Sequence, residues 1–107
     1  LKFDLYHYYN DYRQQEAQVN TPTDRPNQAV ELSQKAQQEY DNSNYQQALQ
    51  YLQSAIGLDP QNGEIYHQLG QTLLKLGEND RAIEAFQTAV ELQPQNRVFQ
   101  SSLESVK

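Results

Sequence analysis

The sequence predicts an all-α solenoid of helix–turn–helix pairs, and three observations carry that prediction. The first is a repeat at a fixed offset of 34 residues, with Ala29–Asn62 laid over Gly63–Asn96. In that register Ala36 falls on Gly70, Tyr40 on Leu74, Ala48 on Ala82, Leu52 on Phe86, Ala55 on Ala89 and Pro60 on Pro94. The second is apolar spacing of three and four residues inside each block, the period of a helix with one buried face. The third is punctuation. The blocks close on Leu58-Asp59-Pro60-Gln61-Asn62 and Leu92-Gln93-Pro94-Gln95-Asn96, where proline lacks a backbone donor and stops a helix. A period of this length marks stacked two-helix units, which build surfaces rather than reactive centres.

The elements follow in order. Residues 1–19 hold Leu1, Phe3, Leu5, Tyr6, Tyr8, Tyr9 and Tyr12; Leu1, Leu5, Tyr8 and Tyr12 keep helical spacing, so an aromatic-rich helical segment is predicted. Residues 20–27, with Pro22 and Pro26, read as a linker. A helix from about Asn27 to Tyr40 follows, capped by Asn27, with the stripe Ala29, Leu32, Ala36 and Tyr40. The polar turn 41–44 leads into a second helix over about Tyr45–Leu58, with the stripe Tyr45, Ala48, Leu49, Leu52, Ala55 and Ile56. A third is predicted over Glu64–Leu76, burying Tyr66, Leu69, Leu73 and Leu74 and stopping at Gly77. A fourth over Asp80–Leu92 buries Ala82, Ile83, Phe86, Ala89 and Val90. Residues 97–107 carry Val98, Phe99, Leu103 and Val106 on one side and read as a terminal capping helix. Asn62-Gly63, a hairpin signal between strands, is an inter-repeat turn between helices.

Composition narrows the function. The 107 residues suffice for one domain, and the start on Leu1 reads as a piece of a longer protein or the product of N-terminal processing. Absence of cysteine removes disulfides and thiolate metal sites and suits a cytoplasmic setting. No run reaches the roughly 18 apolar residues of a membrane span, and no signal-peptide pattern is present. Residues 29–96 hold nine acids against three bases, while the flanks are near neutral. Such a face repels phosphate backbones, so no nucleic-acid partner is expected. Glutamine is the commonest residue, but apolar periodicity runs through it, so residues 28–106 are not disordered.

Blocks 29–62 and 63–96 resemble a tandem pair of tetratricopeptide repeats. The second carries the family's pattern in Tyr66, Leu69, Gly70, Gly77, Ala82, Phe86, Ala89 and Pro94. The first carries it in Ala36, Tyr40, Tyr45, Ala48, Ala55 and Pro60, and departs with Lys35 for leucine, Ser43 for glycine and Leu52 for an aromatic. The resemblance covers about two-thirds of the chain and implies a right-handed superhelix of two repeats with flanking helices. Small residues at the helix crossings fit that packing, with Leu52 and Phe86 filling the space between repeats. Stability normally needs about three units, so the aromatic segment and the last helix are expected to cover the ends, or another chain does.

The resemblance also implies a concave groove lined by the first helix of each repeat. By position it would show Ser33, Gln34, Gln37 and Asp41 from one repeat and Glu64, His67, Gln68, Gln71 and Lys75 from the next. Ser33 and Gln37 stand where a carboxylate-gripping subgroup has Lys and Asn, which argues against that mode of chaperone binding. The plain alternative is that these residues form only a solvated face.

Reactive chemistry finds little footing. His7 and His67 are the only histidines, and neither sits in a cluster with metal-ligand spacing, so no metal or other cofactor is expected. His67 reads as a surface or groove hydrogen-bonder. Ser101, Ser102 and Ser105 lack a neighbouring base in sequence, the glycines form no phosphate loop, and no catalytic residue is assigned. The expectation is a non-enzymatic interaction module that takes a protein or peptide in its groove, as a scaffold or adaptor. The alternative is self-association, or an architectural role in a larger enzyme or a membrane-anchored assembly factor. Three readings stand for residues 1–19: a cap on the first repeat, a segment that enters the groove or exchanges between chains as a homo-oligomer, or the sequel to a membrane span.

Overall fold

The computed structural model describes residues 24–107, which form five helices in succession: α1 (Asp24–Asp41), α2 (Tyr45–Leu58), α3 (Gly63–Lys75), α4 (Asn79–Leu92) and α5 (Arg97–Val106). No strand occurs among them. The aromatic segment 1–19 and residues 20–23 of the predicted linker lie outside the described residues. Residues 24–27 of that linker are helical instead. Pro26 sits in the first turn of α1, where an N–H has no intrahelical acceptor and the fixed φ already suits a helix, so proline starts this helix rather than blocking it.

Helix α1 pairs with α2 and α3 with α4; α2 packs on α3, and α5 closes onto α4. One cluster joins Ala29, Ala36, Ala48, Leu52, Ala55 and Ile65. The next joins Leu49, Leu73, Ala82, Ala85 and Phe86, with Leu69 bridging the two. Each fully buried Leu, Ile or Phe contributes about 1.5–3 kcal/mol of transfer free energy. Because α3 lies between two neighbours, its burial falls on two sides rather than one stripe. Ile65, His67, Thr72 and Leu73 are buried, whereas Tyr66, Leu69 and Leu74 are half-buried. Ile83 and Val90 of α4 are likewise half-buried, and Val98 of α5 is 62% exposed. Those six positions correct the predicted core.

The leading edge of α1 is polar. Ile65, Leu69, Thr72 and Leu73 face α2 from α3, and 34 residues earlier the same positions hold Glu31, Lys35, Gln38 and Glu39. At these four places α1 therefore presents no apolar side chain, although Val30 on the same helix is 44% exposed.

The turns repeat as faithfully as the helices. Glu78 N–H donates to the Leu73 carbonyl at 2.9 Å and Gly77 N–H to Leu74 at 3.0 Å, the double closure of a Schellman stop. One period earlier Asn44 N–H reaches Glu39 at 2.7 Å and Ser43 N–H reaches Tyr40 at 2.9 Å. Gly77 adopts φ 81° and Ser43 φ 65°, so the serine holds a left-handed conformation that glycine adopts without steric cost. Between repeats, Asn62 and Asn96 cap α3 and α5 by accepting from Glu64 N–H and Phe99 N–H at 3.0 and 3.1 Å. The prediction is that Ser43→Gly raises stability by about 0.5–1 kcal/mol. A thermal melt checks it: a gain of a few degrees is expected, and a fall would mean that Ser43 has an unrecognised partner.

Candidate partner-binding groove

Helices α1 and α3 run side by side as the first members of successive pairs, and five of the predicted groove residues meet there. Gln68 Nε2 donates across the junction to the Ser33 carbonyl at 3.5 Å and to Gln37 Oε1 at 3.4 Å. Gln37 Nε2 in turn donates to Asp41 Oδ1 at 3.0 Å. The Ser33 hydroxyl is committed to its own helix, donating to the Val30 carbonyl at 3.0 Å. Beneath this chain lies a crevice lined by Ala36, Tyr40, Leu52 and Thr72 with Gln37, Gln68 and Gln71, too narrow to admit a water. Gln34, Glu64 and Lys75 are exposed and do not line it.

The amide chain has a physical consequence. Bonds of 3.4–3.5 Å are at the limit of useful geometry and join half-exposed groups that water solvates equally well. They contribute little, and a partner's backbone can replace them without leaving a buried group unpaired. Thr72, by contrast, is 1% exposed and donates to the Gln68 carbonyl at 2.9 Å, which fixes the floor.

His67 departs from its predicted setting. It is 8% exposed, lying under α5 rather than open in the groove. Its ring stacks on Phe99 at 4.9 Å and tilts against Phe86 at 5.5 Å, while Nε2 shares a 2.7 Å hydrogen bond with Ser102 Oγ. The cause is the terminal helix: α5 occupies the place that a third repeat's first helix would take and roofs this side of α3. The offset was legible in principle, because Ser33–Gln68 and His67–Ser102 are both 35 residues apart, the period plus one.

The Ser102–His67 pair corrects the expectation that no serine has a base beside it. Nucleophile–base reach alone is not catalysis. Burial lowers the pKa of His67, with Glu64 opposing it, so the imidazole is a weaker base than usual. Among the described residues no group holds its other nitrogen, and the backbone donors around Ser102 belong to the α5 ladder, which leaves no oxyanion site. The pair fastens α5 to α3.

A pH dependence follows with a defined sign. The unfolded chain protonates its histidine near the ordinary value of about 6.5, whereas folded His67 resists the proton. Stability contributed by the neutral ring is therefore complete above that value and declines as pH falls through it toward the lower folded pKa. Denaturant titrations at pH 7.5 and 5.5 should show the loss in the native chain and a smaller loss in His67→Gln. Equal losses in both would remove His67 as the cause.

Among the described residues no group of three His, Cys, Asp or Glu side chains converges as a metal site, and no helix is long and apolar enough to cross a membrane.

Comparison with known proteins places this architecture. A family profile described as tetratricopeptide repeat matches residues 39–104, more than half of the chain. The small glutamine-rich tetratricopeptide repeat-containing protein 2 of Mycosarcoma maydis is 32% identical over 92 residues, which are 86% of this chain and 24% of that relative. The chain thus spans about a quarter of the relative's length. The crystal structure of MamA superimposes with a TM-score of 0.71 at 25% identity, over 74% of this chain and 46% of that one. The Arabidopsis OM64 TPR domain gives 0.71 at 24% identity, over 75% and 66%. The first TPR of Spaghetti (RPAP3), solved with an HSP90 peptide SRMEEVD, gives 0.51 at 14%, over 76% and 91%, a likeness of fold alone. With the 34-residue period, the paired helices and the repeated turns, these matches show that the chain belongs to the tetratricopeptide repeat family.

Proposed function

We propose that this chain is a protein-interaction module, a scaffold or adaptor that receives an extended or helical partner segment along the α1–α3 groove. Tetratricopeptide repeat domains generally mediate protein–protein interaction and are generally not enzymes. The observation that carries the groove reading is the amide chain Gln68–Gln37–Asp41 over the narrow crevice, whose links from α3 to α1, at 3.4–3.5 Å, are long enough to be exchanged for a partner's. Gln37, Gln68 and Gln71 each offer donors and an acceptor, which suits a peptide backbone or amide side chains better than a charged terminus. Asp41 stands at one end, and the repeat block is acidic overall, so neutral or basic segments are favoured and acidic ones are repelled. Two repeats make a short groove, so affinity should be moderate.

Panning a displayed peptide library against the full chain tests this. Enriched peptides should be neutral to basic, should perturb amide resonances of α1 and α3 first, and should bind Gln68→Ala about 5–10-fold more weakly, as expected for one or two lost hydrogen bonds. Enrichment of peptides whose binding maps elsewhere, or ignores Gln68 and Gln37, would overturn the groove reading.

A further inference from the structure

The two repeats share a fold but not an outer surface, and the difference lies on their second helices. Helix α4 exposes Asp80, Arg81, Glu84, Gln87 and Glu91. One period earlier, at the same places on α2, stand Gln46, Gln47, Gln50, Gln53 and Gly57, also exposed. Helix α2 carries no charged residue along its 14 residues. The fold does not require this, because α4 adopts the same helix with acids in those places.

Gly57 sharpens the contrast. It lies inside the helix, and a Cβ built on it meets nothing within 4 Å. Gly63 and Gly70 serve close contacts with Phe99 and Phe86, but among the described residues no contact uses the missing side chain of Gly57. An exposed helical glycine costs about 1 kcal/mol relative to alanine. A close approach by another backbone is one use of such a position.

We infer that the uncharged face of α2, from Gln46 through Gln50 to Gly57, is a two-fold contact with a second copy of this chain. A two-fold interface brings one patch against itself, so every group must complement its own kind. Carboxylates and ammonium groups fail that requirement, while glutamine meets it, because each amide both donates and accepts. Two copies each carrying a net charge of −6 approach best where neither presents an acid. On the second helices that condition is met at α2 and not at α4. Antiparallel pairing with the axis between Gln50 and Gln53 lets those amides exchange hydrogen bonds across it and sets Gln46 of one copy over Gly57 of the other, where no side chain stands in the way. A helix of this length offers about 21 Å of contact, less than a standard interface, so the dimer is weak and concentration-dependent.

Sedimentation equilibrium on the full chain, from about 10 μM to about 1 mM, tests this directly. The native chain should rise toward twice its monomer mass. The variant Gln46→Asp/Gln50→Glu/Gly57→Glu, which copies onto α2 the acids that α4 carries, should keep its helicity and associate at least about tenfold more weakly. A cysteine pair provides a second measurement that does not depend on the triple variant, since the chain has no cysteine. Under mild oxidation Gln53→Cys, close to the axis, should form covalent dimers, and Gln87→Cys at the same place on α4 should not. A native chain that stays monomeric throughout, a charged variant that associates like the native one, or cross-linking equal at both positions would each overturn the inference. Groove binding of peptides is read separately, on α1 and α3.

Discussion

Phe99→Ala is expected to release α5 while leaving the first repeat folded. Phe99 is 1% exposed; its ring covers Gly63, where a Cβ would come within 3.0 Å of it, and stacks on His67. Truncating a buried phenylalanine typically costs about 3–5 kcal/mol. In a solenoid each unit touches only its neighbours, so the loss is not shared evenly along the chain. Helix α5 is short and docks mainly through Phe99, the His67–Ser102 bond and the half-buried Leu103 and Val106. Removing its one fully buried anchor should exceed what the remaining contacts supply. Hydrogen exchange read by residue checks this. Amides of 97–106 should exchange with little protection, those facing the vacated side of α3 should speed up, and those of α2 should change least. Uniform loss across α1–α4 would show that the array unfolds as one cooperative unit, against the nearest-neighbour picture.

Gly70→Ala should destabilise by up to about 2 kcal/mol, although alanine is the better helix former. Propensity favours the change by about 1 kcal/mol. Against it, the new Cβ would lie 2.6, 2.8 and 2.9 Å from three atoms of the Phe86 ring, and overpacking a filled core costs about 1–3 kcal/mol. Phe86 is itself 1% exposed and leans on His67, so it cannot swing aside. The first repeat shows the remedy: Ala36 faces Leu52 where Gly70 faces Phe86. Gly70→Ala/Phe86→Leu should therefore recover much of the loss, while Phe86→Leu alone leaves a void beside Gly70. In a denaturation cycle the double variant should be more stable than the sum of the singles predicts. Simple additivity would mean that the two positions do not share space.

The pairing of residue sizes shows how far the chain can be read without coordinates. The 34-residue offset, Pro60 and Pro94, and the alanines at the crossings were enough to place four paired helices and a terminal one. They suffice because each constraint is local or strictly periodic: proline stops a helix within one turn, and small residues recur wherever two helices cross. Ser33, Gln37, Asp41, Gln68 and Gln71 were legible as a group for the same reason, since successive first helices repeat the same face.

His67, Ile65 and Val98 were not legible, and the reason is common to all three. Their burial depends on which neighbour occupies the next place in the stack. His67 looks like an open groove residue until α5 roofs it. Ile65 lies off the apolar stripe until α2 supplies a second buried side, and Val98 reads as core until the one-sided docking of α5 turns it to water.

Local periodicity and chain-breaking residues, acting over a few turns at most, decided by themselves that this is a helical repeat array and where each helix stops. Tertiary packing alone decided that His67 fastens the last helix instead of meeting a partner, and that the α1–α3 crevice is bridged by its own amides. Burial of a side chain on a stacked helix is set by helices about one period away, and no local pattern records their docking.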